Sequence, residues 1–118
     1  MDRGYLKGLF EATCKEFDKI VSEKHADAIQ VRIGSCTYHF VDRVIERIGN
    51  KTGVSAAEEI VVAAIRYIDK RYNFFSTFQC DSDFGVKYKG YTIRYKSRVH
   101  ILSDGRVYEV EITPVTVF

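Results

Sequence analysis

Ser55-Ala-Ala-Glu-Glu-Ile-Val-Val-Ala-Ala-Ile-Arg-Tyr-Ile-Asp-Lys-Arg-Tyr72 reads as the helix around which the rest of the chain packs. Ser55 followed by Glu58 has the spacing of a capping box, in which hydroxyl and carboxylate each satisfy a backbone N–H that lacks a helical partner. Lys70 and Arg71 fall in the last turn, where exposed carbonyls favour cations, and Asn73 is a candidate left-handed stop. No polar residue interrupts Ile60 to Ile65, so the helix is apolar nearly all round and needs cover on more than one side.

Upstream, Leu6, Phe10, Thr13, Phe17, Ile20 and Val21 recur at helical spacing and predict an amphipathic helix over residues 3–24, with Lys7, Glu11, Lys15 and Asp18 on its outer side. Residues 28–40 alternate as a β-hairpin turning on Gly34-Ser35. That register sets Ile33 against Cys36, Val31 against Tyr38 and Ile29 against Phe40 on one apolar face. A short helix from about Val41 to Ile48 follows, with Val41, Val44, Ile45 and Ile48 inward. Gly49 to Gly53 is the loop into the central helix.

Downstream, Phe74 to Cys80 suits a short strand or extended tail, and Asp81 to Gly85 a turn-rich loop. The last third is an antiparallel meander: Val86-Lys-Tyr88 turns at Lys89-Gly90 into Tyr91–Ile101, which turns at Asp104-Gly105 into Arg106–Ile112. Period-two alternation puts Val86, Tyr88, Tyr91, Ile93, Tyr95, Val99 and Ile101 on the core face with Tyr108, Val110 and Ile112. Pro114 ends the pairing ahead of an edge segment, Val115 to Phe118.

The chain has 118 residues, 46% of them hydrophobic, enough for one domain spanning 1–118 to bury a core without disulfides or metal. No apolar run reaches membrane-spanning length and the first residues lack the plan of a signal peptide, so a cytoplasmic, membrane-free protein is expected. Cys14, Cys36 and Cys80 are odd in number and have no C-x-x-C spacing, which points to reduced thiols rather than a disulfide framework or a zinc site.

Two stretches resemble known families. Gly4 to Cys14 resembles the opening helix of LAGLIDADG homing endonucleases, but Thr13 and Cys14 stand where that motif has its metal-holding acid and its glycine. Thr52 to Ile68 resembles the second helix of ribbon-helix-helix DNA-binding proteins. With Ile29 to Ile33 as the ribbon, that resemblance implies Gln30 and Arg32 in the major groove. The separation of ribbon and helix is about one turn too long for the family, which the hairpin reading accounts for.

Catalytic signatures are lacking: there is no Gly-rich phosphate loop, no His-Glu-x-x-His and no nucleophile elbow, so a non-enzymatic protein without cofactor or metal is expected. Charge is uneven. Residues 84–118 carry a net +3 and the remainder −1. Lys87, Thr92, Arg94, Lys96, Arg98 and His100 share the polar sheet face. The Asp104-Gly105 turn sets His100 opposite Glu109 and Arg98 opposite Glu111 as cross-strand ion pairs. Lys87, Lys89, Arg94 and Lys96 remain unpaired and form the candidate nucleic-acid-binding set.

These readings combine into a single α+β domain of helix, β-hairpin, two helices and antiparallel β-meander, with the helices packed on one face of the sheet. The function expected is that of a small accessory or regulatory nucleic-acid-binding protein. The alternative is a protein–protein interaction module or inhibitor that uses Val115 to Phe118 as an edge strand, as a homo-oligomer or on another partner.

Overall fold

The computed structural model describes residues 2–25, 29–34 and 38–118. In chain order the elements are α1 (Arg3–Lys24), β1 (Gln30–Ile33), α2 (Tyr38–Val44), a π-helical turn (Ile45–Gly49), α3 (Asn50–Thr52), α4 (Val54–Lys70), α5 (Tyr72–Phe75), β2 (Ser82–Tyr88), β3 (Tyr91–Ile101) and β4 (Val107–Val117). The strands form one sheet in the order β1-β4-β3-β2. β2, β3 and β4 are the expected antiparallel meander, but β1 joins β4 in parallel, so the sheet is mixed.

α1 has the predicted bounds and buries Leu6, Phe10, Thr13, Phe17 and Val21 along one stripe. Asp2 caps it by accepting the Gly4 N–H at 2.8 Å. α4 is the central helix, with Ala57, Ile60, Val61, Ala64, Ile65 and Ile68 buried. It starts without the expected capping box. Gly53, at φ 111° and ψ 175°, is the N-cap, so Ser55 is already inside the helix and Glu58 instead accepts the Tyr5 hydroxyl at 2.5 Å. Asn73 is not a left-handed stop either, because the chain re-enters a helical turn, α5, where a strand or tail was expected.

The predicted hairpin over residues 28–40 does not form. Its second strand lies partly in residues 35–37, outside the described set, and Tyr38, His39 and Phe40 open α2. Phe40, Val41, Val44 and Ile48 are buried at helical spacing, so a helix buries more of this segment than alternation does. Tyr38 lies outside the core, with the Arg3 guanidinium 4.0 Å and the Lys7 amine 4.6 Å from its ring centroid. Freed of a hairpin partner, β1 sets Val31 and Ile33 beside Val110 and Ile112 of β4. The alternation that suggested the hairpin is kept, with a different neighbour.

In the meander, β2 begins at Ser82, inside the segment read as a loop. β4 runs through Pro114 to Val117 rather than stopping there. The register slips by one residue between Arg94 and Tyr95, leaving Val115 as the extra residue of a bulge that admits the proline. A second slip, between His100 and Ile101, makes Tyr108 the extra residue. Tyr108 is consequently 48% exposed and Ile101 53%, so neither belongs to the core as expected. The hairpin tip, residues 101–106, is exposed throughout.

Sheet and helices meet through Ile93, Tyr95, Val110 and Ile112, all buried. The Tyr95 hydroxyl donates to the Ala64 carbonyl of α4 at 2.7 Å, and burial pushes that phenol's pKa well up. Arg94, Lys96 and Arg98 alternate with these positions on the opposite, open face.

Candidate nucleic-acid interface

The open face is built from alternate residues of all four strands. His100 lies opposite Glu109 and Arg98 opposite Glu111 as expected from sequence, the bulge at Tyr108 offsetting a loop of three residues between Leu102 and Arg106. The side chains divide differently. His100 Nε2 lies 3.6 Å from Glu109 and 3.9 Å from Glu111, and Arg32 of β1 lies 3.4 Å from Glu109. Both carboxylates thus turn toward His100 and Arg32, and Arg98 makes no ion pair among the described residues despite facing Glu111.

Lys87, Arg94 and Lys96 are exposed on this face, also without an ion pair among the described residues. Lys89 departs from the expected set. At φ 46° it is the first residue of the two-residue turn, and its amine bonds Glu59 of α4, which also accepts the Tyr88 hydroxyl at 2.8 Å. Those two donors, Lys89 first, hold the Glu59 carboxyl below the usual carboxylate range, and the Glu59 carboxylate in turn raises the Lys89 ammonium above its own. The structure therefore separates Lys89 from Lys87, Arg94 and Lys96 and puts Arg98 beside them.

Gly85 makes room for this row. A Cβ there would sit 3.1 Å from Thr92 Cγ2 and 3.2 Å from Arg94 Cδ, so the Arg94 stem lies across the glycine. The three cations of β3 alternate along one strand at roughly 6.8 Å intervals. Beyond His100 the row ends at exposed Tyr108, whose ring centroid is 6.3 Å from that of His100. The face is otherwise not basic: Asp83 lies opposite Lys96, and Glu109 and Glu111 occupy β4.

His100 Nε2 is shielded from solvent and has no hydrogen-bond partner. One ligand atom each from His100, Glu109 and Glu111 lies within 4.8 Å of the others. A proton on the imidazole or a divalent cation would knit the three groups equally well, so the arrangement does not select a metal.

A second surface escaped the sequence reading. A groove of about 830 Å³ runs between α4, Leu9 of α1 and the end of β2, with Val62, Ala63 and Tyr67 as its apolar lining, Arg66, Lys70, Arg71, Glu58 and Glu59 as its charged groups and edge residue Lys87 at its rim. Arg66 and Lys70 are four residues apart on one helix side, which is the signal that a search confined to the sheet passes over. The residues of the ribbon-helix-helix resemblance are otherwise engaged: Gln30 donates to the His25 carbonyl at 3.1 Å and Arg32 pairs with Glu109.

Comparison of the chain with protein-family models, with curated proteins and with solved structures returned no match. No helix among the described residues is long and apolar enough to cross a membrane.

Proposed function

We propose that the chain binds nucleic acid through the open face of its sheet, as a small accessory or regulatory protein. The observation that carries this reading is the row Arg94, Lys96 and Arg98 on β3, with Lys87 beside it on β2: four exposed cations without a carboxylate partner among the described residues. A folded protein that leaves neighbouring cations unneutralised accepts mutual repulsion, which a polyanion relieves by releasing its own counterions. The even spacing along a strand suits an extended single strand, and Tyr108 at the end of the row is exposed for stacking on a base. Glu109 and Glu111 confine the contact to one side of the face. Recognition is then of the backbone and tolerant of sequence.

Fluorescence anisotropy with a labelled single strand across a salt series tests this reading. Log K should fall linearly with log [salt], and Arg94→Ala, Lys96→Ala and Arg98→Ala should each reduce the slope by about one contact's worth. Lys89→Ala should leave the slope unchanged, because that amine is held by Glu59. Undetectable binding at low salt, or binding that survives the triple alanine variant, sinks the proposal.

A further inference from the structure

The two edges of the sheet are treated differently. On β1, the side turned away from β4 is occupied by Tyr72, whose hydroxyl accepts the Val31 N–H at 3.1 Å and donates to the Ile29 carbonyl at 2.9 Å. On β2 no such cover is present among the described residues. The register of β2 against β3 pairs Tyr88 with Tyr91 across the two-residue turn, then Val86 with Ile93, Phe84 with Tyr95 and Ser82 with Ser97. Those residues exchange hydrogen bonds with β3, because the pair closing a two-residue turn is hydrogen-bonded and the pattern alternates from there. Thr92 confirms the phase independently, since its N–H and C=O bond Phe118 on the other side of β3 at 2.6 and 3.0 Å. The N–H and C=O groups of Asp83, Gly85 and Lys87 therefore point outward from the sheet, and none has a partner among the described residues.

An uncovered edge of seven residues, with no proline and no bulge, is a template for another strand. What that strand is can be read from the charges. Asp83 and Lys87 stand two residues before and two after Gly85, on the same open face. A charge that merely guards an edge works by repelling its own copy. Here the signs are opposite and symmetric about the glycine. An antiparallel copy of β2 centred on Gly85 sets Asp83 against Lys87 of the second chain and Lys87 against its Asp83, while apolar Phe84 and Val86 meet on the inner side.

We infer that β2 is the interface of a two-fold homodimer, in which two chains join edge to edge with Gly85 on the axis to make one continuous eight-stranded sheet. Three pairs, Asp83 with Lys87, Gly85 with Gly85 and Lys87 with Asp83, contribute about six inter-chain backbone hydrogen bonds. The surface is isologous and closed, so assembly stops at two. It rests on other observations than the nucleic-acid reading and shares only Lys87 with it: Arg94, Lys96 and Arg98 lie on β3 and stay exposed, while Lys87 leaves that row to pair with Asp83 of the second chain.

The charges supply a test specific to this register. Asp83→Lys and Lys87→Asp each put like charges face to face twice in the dimer, and each should weaken it about tenfold or more, to monomer at concentrations where the unaltered chain is a dimer. The double variant Asp83→Lys/Lys87→Asp restores both pairs and should dimerise. Mixing the two single variants should give a heterodimer, since each then faces its complement. Sedimentation velocity reads the masses, and circular dichroism of each single variant checks that it is folded. The inference is overturned by an unaltered chain that stays monomeric at high concentration, by single variants that remain dimers, or by folded monomeric single variants that neither mixing nor the double variant rescues. A monomeric chain that still binds the labelled strand overturns the dimer alone, whereas a dimer that ignores nucleic acid overturns only the proposed function.

Discussion

The Tyr72 hydroxyl stands in for a missing strand: it accepts the Val31 N–H and donates to the Ile29 carbonyl, two backbone groups that an edge strand would otherwise show to solvent. Tyr72 is 3% exposed and its ring stacks on His25 at 3.8 Å between centroids, so α5 and the end of α1 fix the hydroxyl in place. Tyr72→Phe keeps the ring and removes both bonds, leaving a buried N–H without a partner. The expected loss is about 1–3 kcal/mol in urea denaturation, with little change in m-value. A loss below a few tenths would mean that β1 does not depend on this hydroxyl.

Tyr72 and Tyr95 also govern stability at high pH. Burial is the main cause that raises both phenols above the ordinary value of 10.0. A group whose folded pKa is raised favours the folded state in full below its unfolded pKa. That contribution is lost as pH climbs above about 10 toward the folded value, since the unfolded chain then ionises first. Stability should therefore be level up to about pH 10 with respect to these two groups and fall beyond it. In the Tyr95→Phe variant the alkaline decline should be shallower. Denaturant midpoints measured on either side of pH 10 decide it, and equal slopes in both proteins refute the assignment.

How legible the fold was in sequence depended on whether an element's partner was local. α1 was readable to the residue because five buried positions, Leu6 to Val21, repeat at helical spacing. The antiparallel pairing of β3 with β4 was readable because Asp104-Gly105 marks the turn between adjoining strands, whereas the two bulges in it were not. β1 was not, since its four residues alternate equally well for any neighbour and its true one, β4, lies at the far end of the chain. The capping box at Ser55 failed because Gly53 reaches a backbone conformation that caps the helix two residues sooner. Alternation was enough to place Lys87, Arg94 and Lys96 on the open face. The ion pairing of Lys89 and Arg98 was not legible, because a register gives opposite residues, not which carboxylate each side chain reaches.

Ile112 tests the mixed sheet directly. It is fully buried between Ile33 of β1 and Ser97 of β3, so Ile112→Ala removes packing from both pairings at once. The expected cost is about 2–5 kcal/mol, against less than about 0.5 for Lys96→Ala on the open face. Thermal unfolding of the two variants side by side measures the difference, and similar costs would show the strand phase to be wrong by one residue.

Two glycines make opposite predictions under the same substitution. Gly8 lies within α1, and a Cβ there meets nothing within 4 Å, so Gly8→Ala should stabilise the protein by about 0.5–1 kcal/mol through helix propensity and a less flexible unfolded chain. Gly53 is equally open in space, yet its φ of 111° with ψ of 175° belongs to a region that residues with a Cβ scarcely enter. It is also where the chain leaves α3 and starts α4, with its N–H bonded to Gly49 and its carbonyl to Ala57. Gly53→Ala should cost about 1–3 kcal/mol although it creates no clash, and the loss should appear in the denaturant midpoint while far-UV helicity is kept. A neutral Gly53→Ala would mean that the start of the central helix is set by Ser55 and Glu58 after all.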